Sequence, residues 1–309
     1  MKKVIIGIHG LGNKPDEALL QDWWLRAIQE GLERIGNPRE SIPFKMVYWA
    51  DISFPEPLDP DITDPADPLF LKEPYTAAPV SPPARKKRRL QNLRMHLLNF
   101  IEKHIDRVFL NKNLSEKFPG ASAKIIESYF AELNTYYTHE CVSLQNEDCS
   151  AKAAIRERLH NMLMEYTGYE VLLLAHSMGS IIAFDVLSDP SVDIPVNTFV
   201  SMGSPLGIPP IVVRNFEAQK AFVPQLKRPE APNCITTHWY NLSDRRDTIA
   251  LDHTLRDDYA SNRKGVKAID LLVKNDYSVN GESNPHKSFG YLRAHETAGI
   301  LDVFLSDWT

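Results

Sequence analysis

Ser177 stands in the pentapeptide Ala175-His176-Ser177-Met178-Gly179, where the apolar run Val171-Leu172-Leu173-Leu174 gives way to a helical pattern. A serine hydroxyl is a poor nucleophile at neutral pH. It needs exposure, a neighbouring base and a site for the anion that develops during attack. A sharp strand-to-helix turn supplies the exposure, and small residues two before and two after the serine let the backbone turn without a clash. The first turn of the following helix leaves backbone N–H groups with no intrahelical partner, which suits them to a negative oxygen. The plainer reading is an ordinary turn with a capping serine, so partners must be sought elsewhere in the chain.

His9-Gly10-Leu11-Gly12 follows the first apolar run and is a second candidate. The plainer reading is a glycine-rich turn that only permits tight packing. A phosphate loop is disfavoured, because neither Gly-x-Gly-x-x-Gly nor the P-loop lysine pattern occurs there. Carboxylates and histidines supply the possible acid and base. Asp244 and Asp247 follow the strand pattern at 235–242, with Asp252 a more distant third. His286 lies in Asn284-Pro285-His286-Lys287-Ser288, between the last strand pattern and the final helix. His253 follows Asp247 by only six residues, and His295 falls inside a helix, where a structural role is expected.

Residues 4–8 are apolar and β-branched and read as a strand buried on both faces of a parallel sheet. Residues 16–35 carry Leu20, Trp23, Trp24, Ala27, Ile28, Leu32 and Ile35 at helical spacing, with Gly36 and Pro38 as the stop. Residues 44–50 read as the second strand. Further on, 151–166 and 180–187 read as helices, and 170–175, 196–202, 235–242 and 268–273 as strands, the last of these the final one. A closing helix is expected over 291–305. Strands alternating with helices predict an α/β fold with a doubly wound, mostly parallel sheet. Between them, 51–150 breaks the pattern: 54–83 is rich in Pro and Asp and reads as irregular, and the rest reads as amphipathic helices forming an insertion.

The arrangement around Ser177 resembles the nucleophile elbow of the α/β-hydrolase superfamily, Gly-x-Ser-x-Gly, with Ala175 in place of the first glycine. The resemblance implies a core of residues 1–50 and 151–309, with 51–150 as a mostly helical insertion or cap. It further implies Ser177 as nucleophile, Asp247 as acid and His286 as base, since acid and base follow the serine in chain order. Asp247, followed by Thr248-Ile249, matches the superfamily's Asp-x-Val/Ile pattern better than Asp244, which would then hold the turn. The backbone N–H groups of Leu11 and Met178 are the implied oxyanion donors. His9, Gly10, His176 and Gly179 are expected to support the site. The activity implied is carboxylic ester hydrolysis, esterase- or lipase-like, on a small-molecule ester or acyl substrate without cofactor or metal. Thioesterase, amidase and acyltransferase chemistry use the same residues, and a non-catalytic binding protein on this fold is the rival of a different class. A cap and the acyl pocket are expected from the insertion and from 206–232, a proline-rich stretch read as loop with a short helix near 212–221.

The 309 residues include 43% hydrophobic and 24% charged, enough for a large core, and the net charge of −5 argues against general nucleic-acid affinity. Cys141, Cys149 and Cys234 are too few for a disulfide framework, and the first two with His139 match no zinc spacing. The apolar start ends at His9, too short for a signal core, and no run reaches the roughly 18 apolar residues of a membrane span. A cytoplasmic protein is expected. Arg85-Lys86-Lys87-Arg88-Arg89 opposes the macrodipole of the helix it opens. It pairs with Glu56, Asp59, Asp61, Asp64 and Asp67 or is simply solvated, or else 85–109 makes a peripheral contact with anionic lipid.

Overall fold

The computed structural model describes residues 2–78, 136 and 150–306. Six parallel strands form one sheet: β1 (Lys3–Ile8), β2 (Phe44–Val47), β3 (Glu170–His176), β4 (Val196–Met202), β5 (Ile235–Ser243) and β6 (Ala268–Leu272). Their spatial order is β2-β1-β3-β4-β5-β6. The chain moves outward from β1 in both directions, so the sheet reverses its winding between β1 and β3, in register from Lys3 opposite Glu170 to Ile8 opposite Ala175. Loops leaving these two strands diverge to opposite faces and open a crevice at the carboxyl rim, where α/β sheets bind ligands.

Helices cover both faces. α1 (Glu17–Arg34), α6 (Ser288–Leu292) and α7 (His295–Leu305) cover one; the remaining α-helices with described bounds are α2 (Ala151–Glu165), α3 (Met178–Leu187), α4 (Pro209–Phe222) and the short α5 (Leu255–Asp258). The strands divide their side chains by period two. Val171, Leu173 and Ala175 join the core beneath α2 and α3, whereas Leu172 and Leu174 join the core beneath α1 and α7. Burial on both faces explains why these strands read as unbroken apolar runs.

Local signals set the ends of α1. The Asp16 carboxylate accepts the Leu19 N–H at 3.0 Å as N-cap. Gly36, at φ 82°, turns the chain out, with Asn37 N–H bonded to Leu32 O and Gly36 N–H to Glu33 O, a Schellman stop.

Three expectations are corrected. The short helix expected near 212–221 runs over the whole of 209–222, because Pro209 and Pro210 occupy its first positions, where no N–H is needed. The closing helix is broken into α6 and α7. The break at Arg293-Ala294 sinks the Arg293 side chain, fully buried, between Glu30 at 3.0 Å and Asp276 at 2.7 Å, and the Thr297 hydroxyl satisfies Tyr291 O. Nor is β6 the last strand. A hairpin of β7 (Ser278–Val279) and β8 (Glu282–Ser283) follows, its Asn280-Gly281 turn at φ 51° and 78°.

Residues 53–78 are irregular, as expected, and carry no helix or strand. Asp59, Asp64 and Asp67 each accept a backbone N–H two residues on, at 2.8–2.9 Å, so these acids shape turns. The amphipathic helices expected in the rest of the insertion, the basic run 85–89 and Cys141 and Cys149 lie outside the described residues, apart from Tyr136. No helix among the described residues is long and apolar enough to cross a membrane.

Candidate active site

Ser177 joins β3 to α3 at φ 54° and ψ −127°. Apart from Asn280 it is the one non-glycine residue with positive φ among those described. Such a conformation costs about 1–3 kcal/mol and persists only where the surroundings impose it. Here they do so through the backbone: Ser177 N–H bonds to Met202 O at 2.9 Å and Ser180 N–H to Ser177 O at 2.9 Å. The Ser180 hydroxyl, 2.7 Å from that of Ser204, also donates to Ser177 O.

Glycines bring the β1 loop against this turn. A Cβ on Gly179 would lie 2.6 Å from Ile8 O and 2.7 Å from His9 O, and one on Gly10 would lie 2.7 Å from the Ser177 Cβ. His9 is buried and stacked on Trp49 at 4.9 Å. Its Nε2 accepts the Trp49 N–H at 3.0 Å, so the ring proton sits on Nδ1 and is donated to Gly10 O at 2.8 Å. Burial holds the His9 pKa well below the ordinary value, in keeping with this neutral tautomer. Fixing Gly10 O also fixes the planar Gly10–Leu11 peptide, whose N–H points the opposite way. Leu11 N–H bonds to none of the described residues. Met178 opens α3, so its N–H falls where a helix offers no partner. The Lys14 ammonium completes the loop, donating to the carbonyls of Leu11, Gly12 and Asn13.

Opposite the serine, His286 Nε2 lies 2.9 Å from Ser177 Oγ, and His286 Nδ1 lies 2.9 and 2.8 Å from the two Asp247 oxygens. The carboxylate fixes the Nδ1 proton, leaving Nε2 to accept from the serine. Asp247 is buried and also accepts the Tyr291 hydroxyl at 2.7 Å and the N–H groups of Ile249 at 2.8 Å and Ala250 at 3.2 Å. Burial would raise its pKa, but the His286 charge and the hydrogen bonds from His286, Tyr291 and Ile249 outweigh this and hold it below the usual value. Burial, and then Asp247, pushes the Tyr291 phenol well up, so it stays a donor.

The His286 backbone is held at both ends. Asn284 Oδ1 accepts its N–H at 3.0 Å, and His176 Nε2 donates to its carbonyl at 2.7 Å. Burial, and then the nearby His286, keeps His176 well below its ordinary pKa. Glu73, from the irregular segment, accepts Asn284 Nδ2 at 2.8 Å and lies 3.2 Å from Lys287 Nζ. Burial would raise Glu73, but Lys287 and Asn284 bring it below its ordinary value.

Ser177, Asp247 and His286 thus converge from three loops, with Leu11 and Met178 beside them and His9, Gly10, His176 and Gly179 packed around. Asp244 is not against His286. It pairs with Arg246 at 2.6 Å, accepts Asn275 N–H at 2.7 Å, and its carbonyl takes the Asp247 N–H. Asp252 caps a local turn through Thr254. Tyr291, Gly203, Lys14 and Glu73 were not singled out by the sequence. Gly203 alone carried a legible signal, a glycine directly after a strand; at φ 56°, its Cβ would lie 3.0 Å from Asp247 Oδ2. Among the described residues no cluster could hold a metal ion. Burial pushes the Cys234 thiol up to about 12, so it is no nucleophile near neutral pH.

A cavity of about 420 Å³ opens beside Ser177, lined by the β1 loop, α1, residues 58, 71 and 73, and the His286 loop. None of 206–232 lines it, contrary to expectation. Leu206, Ile208 and Ile211 are spent in the core beneath α3, on the other face of the sheet from α1. No protein-family model matches the chain, and no curated protein matches it significantly.

Proposed function

We propose that this chain is a serine hydrolase of the α/β-hydrolase superfamily that cleaves carboxylic esters. One observation carries the reading: Ser177 Oγ, held on a positive-φ turn, lies 2.9 Å from an imidazole nitrogen whose ring is fixed by a buried carboxylate. Ser177 Oγ attacks the ester carbonyl while its proton passes to His286 Nε2. The carbonyl oxygen becomes an alkoxide, bonded by the N–H groups of Leu11 and Met178; losing one such donor typically costs about 3–4 kcal/mol of barrier. The carbon–oxygen bond to the alcohol breaks as His286 returns the proton to the leaving oxygen. Water, deprotonated by His286, then cleaves the acyl-serine ester, and the proton returns to Ser177. Asp247 orients the imidazole and stabilises its charged form without taking the proton.

Purified wild type should release p-nitrophenol from p-nitrophenyl butyrate, and Ser177→Ala should lose that activity while keeping its melting temperature. Turnover undiminished in Ser177→Ala would sink the proposal.

A further inference from the structure

We infer that the cavity beside Ser177 is an acyl pocket for uncharged, medium-length aliphatic acyl groups. The inference rests on the hydrolase reading and goes on to name its substrate class. Leu20 and Trp23 of α1, Leu58 and Leu71 of the irregular segment, and Phe289 of α6 line the cavity that Ser177 and His286 also border. Leu20 is 3%, Trp23 8% and Phe289 1% exposed, and Trp23 meets Phe289 edge-on at 6.0 Å, so this wall is already packed and ordered before a ligand arrives. A preformed apolar wall favours an apolar guest because it need not be ordered on binding.

Charge in the lining is engaged by the protein. The Lys287 ammonium pairs with Glu73 at 3.2 Å and lies over the rings of Tyr277 and Phe289 at 5.9 and 5.6 Å. The Lys14 ammonium is turned onto the carbonyls of its own loop. A charged acyl chain would have to break one of these arrangements or lie desolvated against indole and phenyl rings, which is costly. An uncharged chain disturbs neither.

Size sets the length. At about 30 Å³ per heavy atom, the share of a water in the liquid, the cavity of about 420 Å³ holds roughly fourteen heavy atoms at complete filling. Part of that space lies over Ser177, His286 and the β1 loop and must hold the ester itself. This leaves an acyl group of about eight to ten carbons, in a cavity whose volume is usual for preformed ligand sites. The acyl half, rather than the alcohol, belongs there because it stays bound through both half-reactions. The alcohol must depart between them, so binding energy spent on it is lost before the second half-reaction.

The test is kcat/KM for p-nitrophenyl esters from acetate to palmitate, and for acetate esters of alcohols of rising length, with wild type, Trp23→Ala and Leu58→Trp. Fluorophosphonate labelling of Ser177 is measured on the same preparations. Wild-type kcat/KM should climb by up to about fourfold per methylene, the value of burying one CH₂, and level off near eight to ten carbons. Leu58→Trp, which fills the cavity from a half-buried loop position, should lower the octanoate-to-acetate ratio by about tenfold or more. Trp23→Ala should move the plateau to longer chains if it folds; Leu58→Trp decides the matter if it does not. Labelled protein with a flat acyl-length profile, or with Leu58→Trp altering alcohol length instead, overturns the pocket and leaves the hydrolase reading standing. Folded protein that does not label removes the hydrolase reading, and the pocket with it.

Discussion

The two halves of the candidate site are built from different materials. On the nucleophile side, Ser177 is placed by main chain: strand-to-helix hydrogen bonds and glycines that let the β1 loop touch the elbow, where a Cβ on Gly179 would meet carbonyl oxygens at 2.6–2.7 Å. On the acid–base side, Asp247 and His286 are placed by other side chains, namely Tyr291, His176, Asn284 and, behind it, Glu73. A backbone-built half tolerates almost no added volume. A side-chain-built half tolerates change, but each lost hydrogen bond should alter the chemistry in steps. Geometry is specified in one place and electrostatics are adjusted in the other.

The largest test asks whether the halves act as one unit. His286→Ala and Ser177→Ala should each lower kcat by roughly 10⁴-fold or more, and the double variant should be no worse than either single one. Multiplying losses would show that the halves work independently. Gly179→Ala should then cost about 1–3 kcal/mol of stability in a urea titration, the usual penalty for overpacking, because the obstructing atoms are backbone. A change near zero would mean that the close approach is not binding.

On the other half, Tyr291→Phe removes a donor to Asp247 and the acceptor for Asp244 N–H. It should slow kcat about tenfold, the rate equivalent of one hydrogen bond of about 1.4 kcal/mol, with KM little altered. Glu73→Gln keeps an acceptor for Asn284 but loses the Lys287 pair. As both partners are partly exposed, stability should change by less than about 1 kcal/mol and activity by a few-fold.

Acid provides a comparison through the whole molecule. His9 and His176 are buried and neutral, with native pKa values below their unfolded value of about 6.5. Below that pH the unfolded chain binds protons that the native chain does not, so stability should fall as pH drops from about 6.5. In thermal melts from pH 8 to pH 5 this contribution runs against that of Asp258, which burial pushes up to about 7. The readout is therefore the difference from His9→Asn, which keeps a donor for Gly10 O and should remove the His9 part of the decline. An unchanged slope would mean that His9 is not held neutral.

What the sequence disclosed follows the same division. Backbone-built features leave local signatures: apolar runs for β1 and β3, small residues around Ser177, and the stop of α1. Asp247 was preferred over Asp244 by local pattern, and the structure puts Asp247, not Asp244, against His286. Side-chain-built features left little trace. Nothing near Tyr291 announces a hydroxyl bonded to residue 247, and Glu73 reaches Lys287 across 214 positions. The cavity wall is expected from the insertion and from 206–232; residues 58, 71 and 73 of the former line it, whereas in the latter Pro209 and Pro210 start a helix on the opposite face.

The central claim is that Ser177 is activated by His286, and covalent labelling addresses it most directly. Wild-type protein treated with a fluorophosphonate and digested should carry one adduct, on the peptide containing Ser177. His286→Ala should form it far more slowly, and Ser177→Ala not at all. An adduct on another residue, or equal labelling rates in folded wild type and His286→Ala, would contradict the account.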